Sequence, residues 1–203
     1  MAEGETACPM ESESSRCPDS DAAGWDVVIG LGANLGAPEL TLRRAARELA
    51  GWGERARVSK LYRSAPVGGP PQPDFLNAAL RLLYSGPLRS LLERLLAVEL
   101  ATGRVRRERW GPRSLDLDIL WVAGLELNEP GLLIPHPRLR ERTFALRPLL
   151  DVAPDSVDPR DGAAYARVLA ELGSGGVVAV EGAWAELSTE PSSGGMDRSA
   201  RGW

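Results

Sequence analysis

Apolar positions recur along this chain with changing period, and the changes predict the order of its elements. Residues 26–31 read as a strand running into Gly32-Ala33-Asn34-Leu35-Gly36. A helix is expected over 38–50, because Pro38 suits a first helical turn and glycines precede it. Residues 54–62 read as a second strand, and 64–73, loaded with glycine and proline, as a long loop. Long loops in compact domains are often functional. The pattern over 75–84 fits either a helix or a strand, and its length and the preceding loop favour a strand antiparallel to the second. Residues 87–102 form a clear amphipathic helix, with Leu88, Leu91, Leu92, Leu95, Leu96 and Val98 on its apolar side. The run Leu115-Asp116-Leu117-Asp118-Ile119 then alternates strictly, as a strand with one buried face does. Strand, helix, strand, strand, helix, strand is the split βαβ order, which predicts an α+β ferredoxin-like sandwich with helices on one face of an antiparallel sheet. Residues 138–150 and 163–172 add further helices.

Length permits one domain, expected at 25–172. An acidic leader at 1–24 and an extension at 173–203 are read as largely disordered and dispensable. The net charge of −4 conceals an asymmetry, since six acids and one arginine lie in the leader and the remainder is close to neutral. That balance argues against a nucleic-acid binder. Both cysteines, Cys8 and Cys17, fall in the leader, so no disulfide framework follows. The leader has no basic start and no apolar core of a secretory signal, and no segment reaches membrane-spanning length. A monomeric, cytoplasmic protein with no membrane partner is expected.

The alternating strand carries the candidate chemistry. Asp116 and Asp118 would project from the face opposite Leu115, Leu117 and Ile119, about 7 Å apart. Side by side they repel, and hard oxygen ligands with open positions suit Mg²⁺ or Mn²⁺. Arg104, Arg106, Arg109 and Arg113 crowd in just upstream, as a metal-bound polyphosphate would require. The competing reading is a solvated strand whose charges only face water. Gly30-Leu31-Gly32 superficially suggests a dinucleotide loop, but the spacing is not G-x-G-x-x-G, and no P-loop sequence is present. A nucleotide must then be gripped by side chains and metal.

The run Arg-Trp-Gly-Pro-Arg-Ser-Leu-Asp-Leu-Asp-Ile-Leu at 109–120 is similar to the signature of the 6-hydroxymethyl-7,8-dihydropterin pyrophosphokinases. Three further blocks agree in order: G-L-G-A-N-L-G at 30–36, Y-R-S-A-P-V-G…Q-P-D-F-L-N-A-A across 62–79, and I-P-H-P…R-T-F-A-L-R-P-L across 134–149. The resemblance covers about 26–158. It implies the ferredoxin-like fold and Mg²⁺-dependent transfer of diphosphate from ATP to the pterin, giving AMP, in folate biosynthesis. Asp116 and Asp118 are implied to hold two Mg²⁺ ions, with Arg104 and Arg113 joining them in catalysis by neutralising charge. Glu99, Arg104, Arg106, Trp110, Arg113, Ile119, His136 and Arg142 are implied on the ATP side. His136 would hydrogen-bond the nucleotide and do no acid–base work. Phe75 and Phe144 match stacking positions for the pterin, Asn77 one that reads its edge, and Ser64, Ala65 and Val67 a loop whose backbone recognises it. Trp110 matches a position on a loop that closes over both substrates. The chain departs from the family pattern at Phe75, Ala65, Leu96 and Pro137, and 104–109 looks one residue short. A non-catalytic metal- and nucleotide-binding module, or an Asp-x-Asp transferase using a nucleotide-sugar, would be the alternatives.

Overall fold

The computed structural model describes residues 24–103, 111–182 and 184. Strand β1 (Trp25–Ala33) leads through Pro38 into α1 (Pro38–Ala50), followed by β2 (Glu54–Val58), β3 (Tyr62–Ser64), β4 (Phe75–Tyr84) and α2 (Leu88–Ala101). After 104–110 come β5 (Asp116–Val122) and a hairpin of β6 (Leu127–Glu129) and β7 (Leu132–Ile134). A single 3₁₀ turn at Leu139–Glu141 precedes α3 (Thr143–Val152), α4 (Tyr165–Leu172) and β8 (Val178–Ala179). The main sheet runs β5-β1-β4-β3-β8, with β2 also paired to β4, and its pairings are antiparallel. This is the α+β ferredoxin-like arrangement the alternating periods predict.

Period-two burial along β1 builds two cores. Val27, Ile29, Leu31 and Ala33 join the buried faces of α1 and α2, whereas Val28 joins Ala79, Leu120, Leu146, Leu149 and Tyr165 on the other side. In α1, Leu42, Ala45, Ala46 and Leu49 recur at helical spacing and are all buried. Each fully buried leucine of this kind contributes about 1.5–3 kcal/mol. Helices therefore cover both faces of the sheet, not one. The expectation fails because α3 and α4 supply a second apolar layer that the split βαβ core lacks.

Three boundaries also differ. The strand expected over 54–62 breaks at Ser59. Its hydroxyl accepts from the Ala79 amide at 2.9 Å, in the place a ladder carbonyl would take, while its own carbonyl turns away to accept the Trp184 indole N–H at 2.9 Å. The helix expected over 138–150 is interrupted at Arg142, whose backbone is extended (φ −119°, ψ 93°), so that α3 begins only at Thr143. Finally, the packed unit continues past 172. β8 pairs with β3, and Trp184 is buried in the main core.

Candidate functional site

The second face of the sheet changes character along its length. Under α3 it is apolar; beyond the first turn of that helix the same face presents Gly32, Asn77, Asp116 and Asp118 around a pocket of about 440 Å³. Eleven of the residues singled out from sequence line it: Ser64, Ala65, Val67, Phe75, Asn77, Arg113, Asp116, Asp118, His136, Arg142 and Phe144. Leu115, Leu117 and Ile119 are buried on the opposite side, as the alternation requires.

A bulge organises the acidic end. The β1–β5 register shifts between Val28 and Ile29, leaving Leu120 as an extra residue in β5. Leu120 and Trp121 consequently both pack toward α3, and the Leu120 carbonyl is free to accept the His136 amide at 2.9 Å. That bond brings His136 to the pocket. Its Nδ1 accepts the Arg138 amide at 3.1 Å, while Nε2 lies 3.4 Å from an Arg142 guanidinium nitrogen. A neutral ring accepts at one nitrogen only, and the shorter backbone bond settles which, leaving the proton on Nε2. Burial, and then the charge of Arg142, lower the His136 pKa to about 4 against the opposing pull of Asp116. The ring is thus neutral at pH 7. With the proton on Nε2, His136 and Arg142 each offer N–H donors to the same part of the pocket wall, chemistry that suits an anion.

Burial also draws Arg142 below the usual arginine range, with Asp118 and Asp116 acting against it. Arg113 donates to Asp116 at 2.5 Å. Across the strand pair, Gly32 faces Asp116 and Gly30 faces Asp118. A Cβ at Gly30 would meet Leu120 at 3.0 Å, whereas one at Gly32 would find only Asn77 Oδ1 at 3.6 Å and Asp116 Cβ at 3.8 Å. The glycine at 32 is what keeps the floor open. Among the described residues no group of three or more His, Cys, Asp or Glu could hold a metal. Two carboxylates on a rigid strand fit Mg²⁺ that completes its shell with phosphate oxygens and water.

The other end is aromatic. In the β3–β4 ladder Tyr62 pairs with Asn77 and Ser64 with Phe75, which puts these side chains on the pocket face. Asn77 is buried and donates to Ser64 Oγ at 2.9 Å. Phe144, the second residue of α3, lies with its ring 5.7 Å from the Arg142 guanidinium carbon. An apolar slot bounded by an oriented amide accepts a flat heteroaromatic ring.

Some expected residues are elsewhere. Glu99 points inward, but its carboxylate accepts the Leu117 amide at 2.7 Å and it does not line the pocket. A carboxylate placed there satisfies the β5 backbone. The Ile119 side chain belongs to the core on the α1/α2 side. Leu96 and Pro137 are not in the lining either. Arg104, Arg106, Arg109 and Trp110 lie outside the described residues.

Conversely, sequence reading overlooked Asn34. It is 4% exposed and joins three segments: Nδ2 donates to Gln72 at 2.9 Å and to the Pro73 carbonyl at 3.0 Å, and Oδ1 accepts the Arg113 amide at 2.8 Å. Its place in Gly-Ala-Asn-Leu-Gly was the available signal. Arg138 also lines the pocket, and nothing in its local sequence sets it apart from other arginines.

Paired carboxylates and convergent cations at one end of a slot, with aromatic rings at the other, define a candidate phosphoryl-transfer enzyme acting on a planar substrate. The family described as 7,8-dihydro-6-hydroxymethylpterin-pyrophosphokinase (HPPK) matches residues 28–154, and the chain belongs to that family of pyrophosphokinases. It is 43% identical over 147 residues to the 2-amino-4-hydroxy-6-hydroxymethyldihydropteridine pyrophosphokinase of Synechocystis, covering 71% of this chain and 75% of that one. It is 40% identical over 166 residues to the mitochondrial folate synthesis bifunctional protein of Arabidopsis thaliana, covering 81% of this chain but 29% of that one. A crystal structure of an HPPK-DHPS in complex with substrates aligns over 74% of this chain with a TM-score of 0.59 at 12% identity, a likeness of fold. The chain spans 43% of that HPPK-DHPS chain.

Proposed function

We propose that this protein transfers diphosphate from ATP to 6-hydroxymethyl-7,8-dihydropterin, releasing AMP, as a Mg²⁺-dependent step of folate biosynthesis. The observation that carries the reading is the two-ended pocket, in which Asp116, Asp118, Arg113, His136 and Arg142 lie at one end and Phe75, Phe144 and Asn77 at the other. The pterin ring lies between Phe75 and Phe144 with its polar edge on Asn77 and on the backbone of Ser64, Ala65 and Val67. Its hydroxymethyl group then faces the acidic end. The hydroxymethyl oxygen bonds to the β phosphorus as the bond between that phosphorus and the α–β bridging oxygen breaks. AMP departs with the bridging oxygen, and the hydroxyl proton is released.

No protein nucleophile is required, so the side chains act by position and charge. Two Mg²⁺ ions held by Asp116 and Asp118 would supply Lewis-acid neutralisation of the phosphate oxygens. Arg113 and Arg142 neutralise charge on the triphosphate, and His136 donates its Nε2 proton to a phosphate oxygen without giving it up. Arg104 and Arg106 are proposed to add to that charge, Trp110 to close over both substrates, and Glu99 and Ile119 to act on the ATP side through β5, which contains Ile119 and whose Leu117 amide Glu99 accepts.

The test is AMP formation from Mg-ATP with and without the pterin, with Asp118→Ala as control. AMP that appears only with pterin, and only with the wild type, is the expected result. ADP would mean single-phosphoryl transfer, and ATP binding with no product would favour the non-catalytic module.

A further inference from the structure

The chain beyond α4 lies outside the family match, which ends at residue 154, and outside the pocket lining, yet it packs against β3 and the start of α3, which carry the aromatic end. It first crosses the start of α3. Gly175 has φ +54°, and a Cβ there would stand 2.8 Å from Thr143 Oγ1, so a side chain is excluded by both conformation and space. It then follows the outer edge of β3, pairing Arg63 with Val178 and Tyr62 with Ala179, and the Val180 amide donates to the Leu61 carbonyl at 2.8 Å. Last, Trp184 enters the main core, 6% exposed, and its indole N–H holds the Ser59 carbonyl at 2.9 Å.

Both elements that this strap touches carry proposed pterin contacts. β3 ends at Ser64, the hydrogen-bond partner of Asn77, and Thr143 sits between Arg142 and Phe144. At the far end of α3, Asp151 accepts from the Tyr62 hydroxyl at 2.9 Å and from the Lys60 amide at 3.0 Å. β3, the strap, α3 and Asp151 thus form a closed ring of contacts behind Ser64 and Phe144. The carboxylates Asp116 and Asp118 lie outside it, on β5, which β1 and β4 separate from β3, and of the described phosphate-end residues only Arg142, next to Thr143, borders it. A three-residue strand such as β3 has too few ladder bonds to hold its own position. Its outer edge is secured by the strap, and its offset from β2 by the Trp184–Ser59 bond.

We infer that residues 175–182 together with Trp184 are a positioning clasp that fixes the spacing between Ser64–Asn77 and Phe144 and thereby sets affinity for the pterin ring far more than for the triphosphate. The inference rests on the proposed reaction. It is tested in the full chain with Trp184→Ala and Val180→Pro, the second of which deletes the bond to Leu61 while sparing the core indole. KM for pterin and for Mg-ATP are measured alongside thermal melting. The expected result is a rise of about tenfold or more in KM for pterin with KM for ATP within about twofold of wild type.

An unchanged ratio of the two constants in a variant that melts cooperatively overturns the clasp, as does an equal rise in both. Failure of both variants to fold also counts against it, because the strap would then be supporting the whole core. A wild type that forms no AMP sinks the reaction and the clasp together, whereas an active wild type with an unmoved ratio sinks the clasp alone.

Discussion

Replacing Asn34 with alanine should loosen three loops at once. The side chain makes two donor bonds, to Gln72 and the Pro73 carbonyl, and one acceptor bond, from the Arg113 amide, all at 2.8–3.0 Å and in a nearly buried position. A hydrogen bond of this kind contributes about 1 kcal/mol net, and a buried group left unpaired costs about 1–3 kcal/mol. Water can reach part of the vacated site, so a total loss of about 2–4 kcal/mol is expected, or roughly 5–12 °C in melting temperature for a domain of this size. Asn34→Asp separates the contributions. It keeps the acceptor for Arg113 but turns a carboxylate toward two other acceptors, and should be no more stable than the alanine variant. Thermal and urea melts of the three proteins decide the matter. If Asn34→Ala melts within about 1 °C of wild type, the account of Asn34 as the tie between these loops is wrong.

Other outcomes follow from the same geometry. Asp118→Ala and Asp116→Ala should each lower AMP formation on the order of 10³-fold while still folding cooperatively, Asp116→Ala being the less stable of the two because it also breaks the bond from Arg113; turnover near wild type in either would remove the metal assignment. Gly32→Ala should fold normally, since its Cβ meets only ordinary contacts, but raise the KM of at least one substrate about tenfold by filling the pocket floor; unaltered kinetics would show that the floor is not used. For His136, the folded pKa of about 4 lies below the unfolded value near 6.5. The unfolded chain therefore takes a proton first as pH falls, so the stabilisation from a neutral ring is complete above 6.5 and is lost toward 4. Allowing for the part of the ring that meets water, wild type should lose about 1 kcal/mol more than His136→Gln between pH 7 and pH 5. Parallel urea curves at the two pH values would contradict it.

Elements with a strong local period were legible from the sequence. Pro38–Ala50 and the alternation through Asp118 lie where the pattern put them, whereas Phe75–Tyr84, whose period fits helix or strand, is the strand that its length and the preceding loop favour. Features that depend on distant partners were not. The break at Ser59 requires an indole 125 positions away, and the second helical layer requires knowing that Val28, Ala79 and Leu120 share a face. Gly32 read as the approach to a turn, since glycine weakens a strand in isolation, yet it lies inside β1 with the pocket in the space a side chain would take. Glu99 shows the reverse problem. The resemblance implied it on the ATP side, but a helix pattern says nothing about which backbone amide a buried carboxylate will find.

The starting residue of α3 governs more than the end of a helix. One continuous sheet face is sealed by the helix on one side of Thr143 and open to ligand on the other, and the division falls where Arg142 leaves helical geometry. Beginning the helix a single turn earlier would carry it about 5.4 Å further along the sheet and roof over the carboxylates. Beginning it a turn later would bare Val28 and Leu120 to solvent. The capacity of the cleft is therefore adjustable at one junction, without altering a strand, and a protein on this scaffold can acquire a larger or smaller ligand by moving a boundary instead of rebuilding a wall.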